Sequence, residues 1–233
     1  MKKAEAKKKR VKEFQDPYTV TGALVKGNII TKLSLLIMGL GNIAHKQVIK
    51  GLIYLAVEIS WLVYMIQYGF YSMSMLPSLG WREQQKVWND AKSIFEYTAG
   101  DQSSLILLYG VATIFVTFLF IIVWRDSVKS GYKVELLAKE GKHINTFKED
   151  FKSLFDKNLH KLLLAGPIMG VLVFTVLPLL YNITMAFTNY SKIGDKLVLF
   201  DWVGLANFKK ILNIKDGIGG QFYSVLGWTL IWA

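Results

Sequence analysis

Long apolar blocks alternate with charged stretches along the 233 residues, and this alternation predicts a chain that threads a bilayer. Residues 48–72 (VIKGLIYLAVEISWLVYMIQYGFYS) form the first block. At about 1.5 Å per helical residue, some 20 of them cover the ~30 Å hydrocarbon layer. Tyr68, Phe70 and Tyr71 supply an aromatic belt at one end. Residues 104–124 carry no charge and form the second span. Residues 162–188 form the third, with Pro167 and Pro178 inside the apolar run. Residues 222–233 open a fourth block within which the sequence stops. The fold class expected is all-α: three complete membrane helices, a truncated fourth and one N-terminal interfacial or re-entrant helix.

That last helix is assigned to residues 29–46. Ile29, Leu33, Leu36, Ile37, Leu40 and Ile43 fall on one side at helical spacing. Lys32, Gly39, Gly41 and Asn42 interrupt a run already short for a crossing. The remaining boundaries follow. Residues 1–28 are a flexible basic tail, and 47–124 a peripheral pair of spans with an external loop. Residues 125–161 are a charged linker, and 162–233 begin a further bundle through span 162–188, external segment 189–221 and partial span 222–233.

Charge placement sets the orientation. The tail through Lys50 carries eleven Lys and Arg and residues 125–161 carry nine, against three in 73–103 and five in 189–221. Cationic loops stay inside, so the N-terminus and 125–161 are expected in the cytoplasm of a cell membrane. The net charge of +11 is therefore a matter of topology and anionic lipid, not of nucleic acid, for which no motif is present. Lys2 to Lys12 either touch lipid headgroups or merely fix orientation as a solvated tail.

Candidate chemistry is sparse. The chain lacks cysteine, and His45, His143 and His160 are far apart without ligand spacing. No G-x-S-x-G elbow, H-E-x-x-H or Walker A sequence occurs. No catalytic, cofactor-binding or metal residue is therefore assigned, and the chain is not expected to be an enzyme. Glu58 is the one acidic group in the middle of a span, where charge costs at least ~2.5 kcal/mol. Either it contributes a polar contact to a transport path or it bonds another helix or nearby Tyr54. Leu205, Phe208 and Leu212 share a helix face, which predicts a short helix on the outer surface. Trp81 and Trp88 are expected as interface anchors.

The run from Pro167 to Tyr190 (PIMGVLVFTVLPLLYNITMAFTNY), followed by Trp202 to Leu212 (WVGLANFKKIL), resembles the opening of the core of ABC sugar-importer permeases. It is most similar to the larger permease subunit of maltose and maltodextrin importers. Ala186 to Tyr190 and Trp202 to Phe208 carry that likeness, with Gly227 to Leu230 a looser match to the next core helix. The basic tail, TKLSLLIMGLGN and the two extra spans resemble Gram-positive members. The resemblance implies a transport subunit without cofactor. Its implied partners are a second permease subunit, a pair of ATP-binding cassette ATPases, an extracellular sugar-binding lipoprotein and membrane lipid. The family's E-A-A…G loop and later core helices do not occur before Ala233, so the chain is expected to be the N-terminal part of a longer permease. A membrane interaction or assembly protein, docking through Glu58 and 125–161, is the rival reading.

Overall fold

The computed structural model describes residues 17–190, 199–215 and 217–232. The basic run Lys2–Lys12, with its expected headgroup contact, lies outside them. Three helices are long and apolar enough to cross a membrane: Val48–Met75, Ser103–Lys139 and Leu159–Met185. Among the described residues six shorter helices flank them, with one small hairpin between the first two long ones.

Helix α1 is Val20–Lys26, α2 Ile29–Leu33 and α3 Leu40–Ala44. Long helix α4 (Val48–Met75) passes through a π turn at Met65–Gly69. Strands β1 (Lys86–Asn89) and β2 (Ile94–Tyr97) pair antiparallel, with Trp88 opposite Phe95. Then come α5 (Ser103–Lys139), α6 (Phe147–Phe155), α7 (Leu159–Met185), α8 (Ala206–Leu212) and α9 (Gly217–Trp232). Contacts divide the chain into two units. One joins residues up to Tyr64 with Val116–Gly166; the other joins Met65–Phe115 with Pro167 onward.

The first unit buries polar groups and exposes apolar ones. Thr31, Ser34, Asn42, Ser127 and Glu135 are buried, whereas Ile29, Leu36, Ile49 and Ile53 are exposed. A water-soluble domain does the reverse. In hydrocarbon the inversion is favourable, because hydrogen-bonding groups must find partners inside the protein. Residues 17–28, assigned from sequence to the flexible tail, are ordered here. Thr19 caps α1 by accepting from the Gly22 N–H, and Ala23 packs with Val128 and Tyr132 of α5. The expected single helix over 29–46 is instead two short helices. It breaks at Gly39, whose φ of +80° suits a residue without a β-carbon. A β-carbon there would also overlap the Gly51 carbonyl oxygen, so the close approach of this segment to α4 requires glycine.

Helix α5 does not end where its apolar residues do. It continues through fifteen positions of the region assigned to a linker, and its 37 residues span about 55 Å. Residues around α2 and α3 give that extension buried partners: the Gly39 N–H donates to the Ser127 hydroxyl at 3.0 Å and the Thr31 hydroxyl donates to Glu135. In the rest of 125–161, Thr146 and Glu149 form a reciprocal capping box that starts α6.

The second unit has its own apolar cluster of Leu79, Leu107, Val111 and Phe200, flanked by Leu76, Leu177 and Tyr181. Gly110 lets α5 close on Leu76, whose side chain occupies the space a β-carbon would take. The hairpin was not expected in a loop read as merely polar. Its strands have only four residues each, too few for an alternating pattern to stand out. The turn is fixed locally: the Asn89 side-chain oxygen accepts from the Ala91 and Lys92 N–H groups. Trp81 and Trp88 are both exposed.

Candidate functional site

Helix ends leave backbone carbonyls and N–H groups without intrahelical partners, and buried ends must find them elsewhere. In the second unit, the two segments that carry the family resemblance meet that need for each other. The Asn207 side-chain amide donates to the Ala186 and Thr188 carbonyls at 2.9 and 2.7 Å, closing the C-terminal end of α7. The Val203 N–H donates to Phe187 O at 2.8 Å, and the Asn189 N–H donates to Asp201 O at 3.0 Å. The Asn189 side-chain oxygen accepts from the Asp201 N–H at 2.6 Å. Thr188 and Trp202 thereby form one antiparallel bridge. Phe187 and Phe208 pack at 5.0 Å between ring centres, so Phe208 turns inward while Leu205 and Leu212 stay exposed.

This clamp reaches the ends of the other two long helices. The Trp202 Nε1–H donates to Leu76 O just beyond α4, at 2.9 Å. The Phe200 N–H donates to the hydroxyl of Ser103, the first residue of α5, at 3.1 Å. Just before α5, the Asp101 carboxylate accepts from the Trp81 and Arg82 N–H groups, each at 3.0 Å, and lies 3.3 Å from the Arg82 guanidinium. Those backbone donors, Trp81 first, hold its carboxyl below the usual aspartate range. The arrangement positions helix ends; it offers neither a nucleophile with its base nor a set of metal ligands. Among the described residues no group of three or more His, Asp or Glu could hold a metal ion.

In the first unit, Glu58 and the buried Glu135 both accept from backbone N–H groups. Glu58 accepts from the Met38 N–H at 2.8 Å, at the break before α3, and not from Tyr54. The Tyr54 hydroxyl donates to Asp126 at 2.6 Å instead. Glu135 accepts from the Asn28 N–H at 3.1 Å, from the Thr31 hydroxyl at 2.5 Å and from Lys139 at 2.5 Å. Sequence reasoning missed Glu135, which sits among other charges; Asn28-x-x-Thr31 is the only nearby signal, as a helix start. His45 contacts Gly41 O, and His143 contacts Glu149.

No family model matches the chain, and no solved structure matches it. Among curated proteins, it is 26% identical over 200 residues to the maltodextrin transport system permease protein MalC of Streptococcus pneumoniae. The match covers 85% of this chain and 42% of that protein. It is 27% identical over 202 residues to the galactooligosaccharides transport system permease protein GanP of Bacillus subtilis (84% of this chain, 44% of the relative). The maltodextrin transport system permease protein MdxF of Bacillus subtilis is 27% identical over 199 residues, covering 84% and 42%. The chain thus spans less than half the length of the curated relatives it matches.

Proposed function

We propose that this chain supplies membrane-spanning helices to a permease subunit of an ATP-driven importer of maltodextrin, galactooligosaccharide or a related oligosaccharide. The observation that carries the proposal is the similarity, extending over 84–85% of the chain, to permeases of both sugar classes. That stretch necessarily includes most of the apolar helices, so the likeness and the membrane architecture concern the same residues. A second permease subunit, the ATPase pair and an external sugar-binding lipoprotein complete the proposed assembly. Positive-inside charge supports a cytoplasmic N-terminus and an outward-facing clamp, with the hairpin loop on the outer side. The peripheral pair of spans would be α4 and α5, and α7 the first core helix.

Affinity purification of the chain from its native membrane tests the proposal. Recovery of an ATP-binding cassette ATPase and a sugar-binding protein, with loss of oligosaccharide uptake when the gene is disrupted, is the expected result. Unchanged uptake of every maltodextrin and galactooligosaccharide tried, with no ATPase recovered, would reject it. Vesicles that contain only this polypeptide are expected not to accumulate sugar.

A further inference from the structure

The first unit contains an open cavity of about 750 Å³ that no hydrogen-bond network described above fills. Its cationic side is built from three helices. Lys50 comes from the first turn of α4, Lys129 and Lys133 lie one turn apart on α5, and Lys161 comes from the first turn of α7. Each follows or precedes an apolar membrane-length run, so the four ammonium groups gather where hydrocarbon gives way to headgroups. Two carboxylates share the lining, and both are engaged. Asp126 accepts from Tyr54, and Asp150 lies 3.6 Å from Lys50. Lys133 sits over the Tyr18 ring at 5.6 Å, and neither it nor Lys161 makes an ion pair among the described residues. Four lysines against two aspartates leave the cavity net positive.

Apolar groups share the lining with these charges. Helix α6 places Phe147, Phe151 and Leu154 in the lining, while Phe155 extends the same stripe. Phe151 and Phe155 remain more than half exposed, whereas Lys148 and Lys152 occupy other faces of the helix. A short helix with an aromatic stripe flanked by lysines suits the membrane–water boundary. A lining that combines lysines with phenylalanines at that depth matches a molecule with a phosphate at one end and hydrocarbon at the other.

We propose that this cavity binds an anionic phospholipid. Its phosphate is held by Lys133 and Lys161 with help from Lys50 and Lys129, and its chains run along Phe147, Phe151 and Leu154. A free phosphate would satisfy the lysines but gain nothing from the phenylalanines. The proposal rests on the chain's spanning a membrane and not on its carrying sugar, so its test reads lipid binding without transport.

The full chain, purified in detergent, is titrated with short-chain phosphatidylglycerol, phosphatidylcholine and inorganic phosphate. Thermal stabilisation and lipid retained in native mass spectrometry are the readouts. Phosphatidylglycerol should stabilise the chain, and the other two should not. Lys133→Gln with Lys161→Gln should lower phosphatidylglycerol affinity, about fivefold for each charge removed. The paired Arg substitutions should retain it, which separates lost charge from misfolding. Asp150→Asn should tighten binding by releasing Lys50. Equal binding of phosphatidylcholine, equal stabilisation by inorganic phosphate, or unchanged affinity in the double Gln variant would overturn the proposal. So would weaker binding in Asp150→Asn.

Discussion

Helices α5 and α7 are both long and strongly apolar, yet they differ in how much of themselves this chain covers. Of the most apolar 18-residue window, 28% is buried in α5 and none in α7. α5 carries small and polar residues where other segments reach it: Gly110 against Leu76, Ser127 to the Gly39 N–H, Glu135 to Asn28 and Thr31. α7 carries Pro167 and Pro178, with a π turn at Leu172–Val176 just before the second proline. There the Leu177 N–H reaches back five residues to Leu172 O. Proline removes a donor and crowds the carbonyl four residues earlier, so a locally wider turn relieves the strain. The Thr184 hydroxyl bonds within its own helix, to Leu180 O. α5 is thus a pillar with its partners inside the chain. Most of α7 is a surface that the described residues leave uncovered.

The largest expected break in that contrast is Glu135→Ala on α5. It strands the Asn28 N–H and the Thr31 hydroxyl in a buried place, and should cost about 3 kcal/mol in the detergent unfolding midpoint. A cost near zero would remove the pillar description. Next come paired glycine substitutions. Gly110→Leu must displace Leu76 and should destabilise by about 2 kcal/mol. Gly170→Leu on α7, where a β-carbon meets nothing within 4 Å, should stay within about 0.5 kcal/mol in the isolated chain. If Gly170→Leu instead blocks assembly with partner subunits, α7's open face is sharpened into an interface.

Asn207→Ala removes two bonds from the end of α7 and should cost about 1.5 kcal/mol. Hydrogen exchange at 186–190 should rise while the centre of α5 is unchanged. The smallest effect concerns pH. Because the folded chain holds the Asp101 carboxyl below its usual value, the unfolded chain binds that proton more readily. Its stabilisation is complete above the ordinary aspartate range, about pH 4, and fades as pH falls through the lower folded value. Asp101→Asn should therefore flatten the acid limb of a stability–pH curve and leave the neutral region with only a small loss.

Much of this architecture was legible in the sequence because bilayer thickness is a length rule. Three apolar runs of sufficient length meet it whatever their neighbours do. The motif pair 186–190 and 202–208 was legible as a likeness, but not as a clamp, because Asn207 gives no local sign that it will reach two carbonyls some twenty residues back. The interruption at Gly39 and Gly41 was visible. The resulting two-helix form depends on the close approach of Gly51, which no short-range pattern encodes. Glu58 was conspicuous because it lies alone among apolar residues, whereas Glu135 was hidden among charges and turned out the more deeply buried.

By itself, the sequence determined that the chain has three membrane-length helices and which loops carry the excess of cations, since both depend only on local composition. Tertiary structure decided where the polar side chains go. Packing shields backbone groups at the helix ends from water, so Glu135, Asn207 and Asp101 pair with them across 19 to 107 residues of chain. Pairings at that range are chosen by packing, not by neighbours in sequence.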